Sequence, residues 1–170
     1  MHPLLEVIRE RFEYADGQVR VLKAGQWKGK KGALAGNVRP KDGRIIIQIK
    51  GARLFAHQVV WLLFHDDLPE TTLDHRDRDP TNNRIENLRP ASLSEQQGNK
   101  TRQANNTSGF RGVSRAHNHM TKPWLATINQ GGKAKHLGYF VSAEEAARAY
   151  DAAAIAQFGA YASTNFGGVI

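Results

Sequence analysis

The chain contains no cysteine. That excludes disulfide staples and zinc sites built on thiolates. No apolar run approaches the roughly 20 residues that a membrane-spanning helix needs. The N-terminus, Met1-His2-Pro3-Leu4-Leu5-Glu6, turns charged at once and has no apolar centre of the kind a secretion signal carries. The expectation is a cytoplasmic protein with no membrane partner. Acidic residues are missing from one long stretch: Gln96 to Ala143 holds neither Asp nor Glu. The same stretch carries Lys100, Arg102, Arg111, Arg115, Lys122, Lys133 and Lys135. A basic block without compensating acid repels itself unless an anion lies against it, and nucleic acid is the obvious one.

What is present agrees with that. The 170 residues carry a formal net charge of +8 and a pI near 10.0. A hydrophobic share of 40% can form a core, divided here between two small units. Leu4, Leu5, Ile8 and Phe12 recur at helical spacing, which predicts an amphipathic helix over 4–14. Asp16-Gly17 is a turn signal, Gln18–Leu22 reads as a strand, and 25–31 is a basic, Gly-rich connection. Arg44–Ile49 reads as a second strand, 54–64 as a buried helix and 92–99 as a short one. Residues 103–108 are polar, small and uncharged, as in a linker. The reading is therefore one domain over 1–102, a linker over 103–108 and a second domain over 109–170.

In the second domain, 109–115, 124–129 and 134–140 are strand candidates, and the turn Asn129-Gln130-Gly131-Gly132 separates the last two. Ser142-Ala143-Glu144-Glu145 has the pattern of a capping box, and it opens an alanine-rich helix that stops at Gly159. The fold class is α+β: small antiparallel sheets, the last of three strands with one helix behind. The free face of that sheet is expected to carry the basic residues.

Chemistry gathers between Asp74 and Asn99. Asp74-His75 is followed by Asn82-Asn83, Asn87, Gln96 and Asn99. Phosphodiester hydrolysis needs a base to activate water and a cation to stabilise developing charge. His75 can be the base. Asp74 offers a hard oxygen for Mg²⁺ or Mn²⁺, and Asn87 can hold the imidazole by a hydrogen bond. The same Asp and Asn residues are also ordinary turn formers, so spacing alone leaves both readings open. His57 reads as a helix-start residue that packs locally.

Leu73-Asp74-His75-Arg76-Asp77, followed by Asn82-Asn83-Arg84-Ile85-Glu86-Asn87-Leu88-Arg89, resembles the HNH endonuclease family in its phage and intron-homing branch. Ala56 to Phe64 resembles that branch's lead-in helix. The resemblance implies a ββα-metal element holding one divalent cation, Mg²⁺ or Mn²⁺ rather than zinc. It implies Asp74 as a metal ligand, His75 as general base and Asn87 as the residue that orients His75. The third motif position, normally His or Asn, is Gln96 here, whose carbonyl oxygen would be the further metal ligand; Asn99 is the substitute if the register differs. One site per chain implies nicking, or a double-strand break through a dimer. A catalytically weak or inactive DNA-binding regulator is the alternative that Gln96 motivates.

Ser108-Gly109-Phe110-Arg111-Gly112-Val113, Trp124 to Ile128, His136-Leu137-Gly138-Tyr139-Phe140, Ala143 to Asp151 and Thr164-Asn165-Phe166 resemble the AP2 DNA-binding domain. That resemblance implies a three-stranded sheet in the major groove of double-stranded DNA, bound by a monomer or weak dimer. Arg111, Arg115, Trp124, Thr127, Lys133, Lys135 and Tyr139 are the expected contacts. Thr127 and His136 stand where plant members have Glu and a second Trp, so sequence preference does not carry over.

Overall fold

The computed structural model describes residues 1–23, 30–99 and 106–167. Residues 25–29 of the connection read at 25–31, and 103–105 of the linker read at 103–108, lie outside the described residues. The chain divides into two compact units, Met1–Ala91 and Ser92–Ile170. Its mixed α+β character is as expected.

The first unit opens with α1, Leu5–Arg11. The helix stops short of the predicted Tyr14 because Phe12 is already extended. Phe12–Ala15 (β1) pairs with Gln18–Val21 (β2) in a two-stranded hairpin. The turn decides this: Asp16 and Gly17 both take positive φ, 54° and 78°, as tight hairpin turns require. The ladder on its two sides draws in residues that helical spacing alone would have kept. Asn37–Val38 (β3), Ile45–Ile49 (β4) and Ala52–Phe55 (β5) form a second antiparallel sheet in that order. The helix α2, Ala56–His65, follows directly, its first turn closed by the Phe55 N–H donating to Gln58 Oε1 at 2.9 Å. It is shorter than predicted because Leu54 and Phe55 are pairing with β4. Ile8, Ile47, Ile49, Val59, Val60 and Leu62 are almost fully buried. Each contributes about 1.5–3 kcal/mol relative to exposure. Against this core, Thr72–His75 (β6) pairs antiparallel with Leu88–Ala91 (β7), with Asp74 opposite Arg89 and His75 opposite Leu88.

In the second unit, α3, Leu93–Gly98, begins at a capping box in which the Ser92 N–H donates to Glu95 Oε2 at 2.7 Å. Val113–Arg115 (β8), Trp124–Gln130 (β9) and Lys133–Phe140 (β10) form an antiparallel sheet ordered β10-β9-β8. The helix α4, Ala143–Phe158, packs behind it. Of the alanines singled out by sequence, Ala146 is buried, Ala149 and Ala153 are half-buried and Ala156 is exposed; Ala147 and Ala154 of the same helix are also buried. The β9–β10 turn is Gly131-Gly132, both at positive φ, while Asn129 and Gln130 remain in the strand. α3, read from sequence with the first domain, packs on α4 in this second unit. Gly98 permits it: a Cβ there would lie 2.6 Å from the Phe158 ring.

The first strand of this sheet is shorter than the 109–115 read from sequence, because Gly109 and Gly112 take positive φ and keep 109–112 out of the ladder. A Cβ at Gly112 would fall 2.0 Å from the Tyr150 ring. Gly112→Ala therefore combines a backbone strain with an overlap that cannot relax, and it should destabilise the second unit by about 3 kcal/mol or more in denaturant unfolding. Gly132→Ala, where the added Cβ meets nothing, carries the strain alone and should cost about 1 kcal/mol.

Candidate active site

The β6–β7 pairing puts His75 at the end of a strand and returns the chain through residues 76–87 to the same place. That return is built by amides and carboxylates. Asn87 Nδ2 donates to Asp77 Oδ1 at 2.9 Å and to the Asn82 carbonyl at 2.8 Å, while its Oδ1 accepts from the Asp77 N–H at 3.0 Å. Asn82 Nδ2 donates to Asp77 Oδ2 at 2.6 Å. Partial burial works to raise the Asp77 pKa, but the donated hydrogen bonds outweigh it and hold the carboxyl below the usual range. Asn87, expected beside the imidazole, is thus seen to clamp the loop.

The imidazole's amide partner is Asn83. His75 Nε2 lies 3.1 Å from Asn83 Oδ1, and both residues are buried. Asn83 Nδ2 donates to the Thr81 carbonyl at 3.1 Å, which settles which end of the amide faces the ring. An amide oxygen only accepts, so Nε2 must carry the hydrogen. The basic lone pair is then on Nδ1. Burial pulls the His75 pKa below that of an ordinary imidazole, and the charge of Arg44 adds to this; Asn83 and the nearby Asp77 and Asp74 act the other way. The ring is thus neutral near pH 7, as a general base must be.

His57, at the start of α2, packs its ring edge-on to His75 with centroids 5.1 Å apart and lies parallel to Phe55 at 5.4 Å. It is 6% exposed. Burial above all, then the His75 and Arg44 charges, pushes its pKa down to about 3. Its local packing agrees with the sequence reading; its packing on His75 was not legible, since 18 residues separate the two positions.

Asp74 lies across the ladder from Arg89, whose Nε and Nη2 both donate to Asp74 Oδ2 at 3.2 Å. Arg89 is 4% and Asp74 14% exposed at the side chain, so this is a shielded ion pair. Among the described residues no three His, Cys, Asp or Glu gather as a metal cage. Carboxylate oxygen such as that of Asp74, with no thiolate in the chain, suits a hard cation that keeps most of its own water, such as Mg²⁺. Gln96 lies on α3.

In the second unit the register assigns each residue to a face. Ala126 and Ile128 are buried toward α4, so Leu125, Thr127 and Asn129 point the other way. Their cross-strand partners Tyr139, His136 and Ala134, with Ser114 opposite Leu125, share that open face. His119, from the β8–β9 connection, stacks on Tyr139 at 3.7 Å. Of the expected DNA contacts, Thr127 and Tyr139 are therefore on the open face. Lys133 and Lys135 alternate to the opposite face but are exposed. Trp124 packs on the core with Ala126, and Arg115 lies 6.0 Å from its ring. Arg111 is no strand residue: its guanidinium donates to the Gly98 and Gln97 carbonyls at 2.8 and 2.7 Å. The basic residues thus border the sheet rather than pave it, since strand alternation sends the lysines one way and His136 the other. Asn129, His119 and His136 are open-face groups outside the set of expected DNA contacts.

Residues 54–97 match the family model of the HNH endonucleases. No curated protein matches the chain.

A neutral, buried His57 has a consequence for stability. Its folded pKa lies below the unfolded value, so the unfolded chain binds more protons between about pH 6.5 and 3. Stability is full above that window and falls as pH drops through it. His57→Phe keeps a packed ring without the titration. Its decrease in unfolding free energy between pH 7 and pH 4 should be shallower than that of the wild type by about 3 kcal/mol, at about 1.4 kcal/mol per pKa unit.

Proposed function

We propose that this protein is a metal-dependent endonuclease that hydrolyses phosphodiester bonds of double-stranded DNA. The carrying observation is the His75–Asn83 pair: a buried imidazole whose tautomer is set by an amide oxygen, which can only accept. The HNH match over 54–97 supports the same chemistry, and so does the positive net charge.

In this reading His75 Nδ1 takes a proton from the attacking water, while Asn83 holds the ring and stabilises the imidazolium that forms. Asp74 would hold the cation, with Arg89 fixing the carboxylate. The cation supplies charge stabilisation at the phosphate. Asn87 keeps the 76–87 loop in the shape that brings Asn83 to His75. The second unit, read as an AP2-like DNA-binding domain, would lay the open face of its sheet in the major groove. Thr127, Asn129, His136 and Tyr139 would face bases there, and Arg115, Lys133 and Lys135 would reach flanking phosphates.

Conversion of supercoiled plasmid with Mg²⁺ or Mn²⁺ tests the chemistry. His75→Ala should lower the cleavage rate by about 10²–10⁴-fold, the usual size of a general-base contribution, and EDTA should abolish cleavage. With its pKa lowered, His75 stays in its basic form below pH 6.5, so the acidic limb of the rate profile should lie below that of a free imidazole. Duplex binding in a shift assay without any metal-dependent cleavage would instead identify a DNA-binding regulator.

The second unit's role has its own test. Replacing Arg115, Lys133 and Lys135 together by Gln should weaken duplex binding for all sequences alike. It should also reduce the slope of log affinity against log salt by about 2–3, close to one for each phosphate no longer neutralised. An unchanged slope would remove these three from the interface.

A further inference from the structure

Side chains from three separate segments form one stack in the first unit. His75 meets His57, His57 lies parallel to Phe55, and Phe55 carries two guanidinium groups. The Arg39 and Arg44 Cζ atoms lie 4.9 and 5.5 Å from the Phe55 ring centroid. Both arginines flank the turn between β3 and β4. That turn lies against the loop bearing Asn83: a Cβ at Gly43 would be 3.3 Å from the Thr81 methyl group. The stack therefore runs along one side of the His75–Asn83 site.

The two arginines are not equivalent. Arg39 is engaged by Asp42, to which its Nε donates at 2.8 Å and its Nη2 also donates. Arg44 Nε is shielded from water and has no hydrogen-bond partner among the described residues. Its nearest carboxylate oxygen, Asp42 Oδ2, is 3.6 Å away, beyond a hydrogen bond. Asp42 is the one carboxylate in the turn, against Arg39, Lys41 and Arg44, so the turn keeps two positive charges in excess. The Arg44 charge is felt as far as His57 and His75, whose pKa values it helps to lower. The Arg44 side chain is nonetheless 39% exposed, so a part of it other than Nε is open to an anion, and a phosphate oxygen is the acceptor that a guanidinium fits best.

We propose that Arg44 grips a non-bridging oxygen of the phosphodiester presented to His75, with Phe55 and His57 holding its guanidinium at the site. The inference rests on the nuclease reading and deepens it. His75 removes the proton from water, and Arg44 meets the negative charge that builds on the phosphate as the attack proceeds. Such an interaction strengthens from ground state to transition state, so removing it shows in the rate more than in affinity.

Two measurements on the full chain decide it. In the first, single-turnover cleavage is compared among wild type, Arg44→Gln and Arg44→Lys. Arg44→Gln should be slower by about 10²-fold or more, as for other donors to developing charge. Its duplex affinity in EDTA and its unfolding midpoint should stay close to those of wild type. Arg44→Lys should recover about tenfold. An Arg44→Gln rate within threefold of wild type overturns the proposal. The second needs no cleavage: the ¹⁵N side-chain signals of the wild type are followed while a DNA duplex is added in EDTA. The Arg44 Nε–H signal, assigned by its absence in Arg44→Lys, should shift saturably, and that of Arg39 should not. A duplex-saturated protein with an unmoved Arg44 signal overturns the proposal. If the wild type cleaves no DNA, the nuclease reading fails by itself, and the shift still decides whether Arg44 meets phosphate.

Discussion

The antiparallel register of β6 and β7 is the constraint on which the first unit's chemistry depends. Opposing Asp74 to Arg89 and His75 to Leu88 leaves the intervening residues to close a loop of fixed length. The loop has almost no apolar content of its own, so hydrogen bonds must shape it. Asn87 and Asn82 both donate to Asp77, and the carboxylate, stabilised as an anion by these donors, holds the curve. Asn83 is carried inward by that curve and arrives at His75 with its oxygen foremost. A one-residue slip would send His75 to the opposite face of the ladder.

Arg89 and Asp74 illustrate how burial changes the meaning of a charge. A shielded ion pair adds little net stability, because desolvation offsets most of the attraction. Its value here is geometric: two donors on one carboxylate oxygen fix the orientation of the group. The same logic applies to Asp151 in the second unit. Its carboxylate accepts from the Asn165 N–H at 2.8 and 2.9 Å, from Asn165 Nδ2 at 2.9 Å and from the Phe166 N–H at 3.1 Å. Asn165 Oδ1 in turn accepts from the Arg111 N–H at 2.7 Å. The Thr164-Asn165-Phe166 segment and the Asp of α4 are therefore a tie that closes the unit, and their presence in the sequence reports on architecture rather than on ligand contact.

Elements with a strong local cause were legible. The Ser142 cap and the Gly159 stop bracket α4, and the Ile-rich run became β4. Boundaries went astray where a longer-range ladder competed with local spacing. Phe12 fits the apolar period of α1, yet the Asp16-Gly17 turn pairs it with Val21. Trp124 and Arg111 were expected to touch DNA through the resemblance to the AP2 domain. Strand parity turned Trp124 toward the core, and Gly112 kept Arg111 out of the strand.

By itself the sequence determined which chemical groups are available and near which others along the chain: Asp74 beside His75, amides close behind, no thiolate and a long acid-free segment. These are matters of covalent order and composition. Only the tertiary structure decided which amide meets His75, that His57 and Phe55 join it to Arg44, and which residues of the last sheet look outward. Those choices depend on strand register, on positive φ at a few glycines and on segments up to some tens of residues apart in the chain. None of these is a property of a local run of side chains.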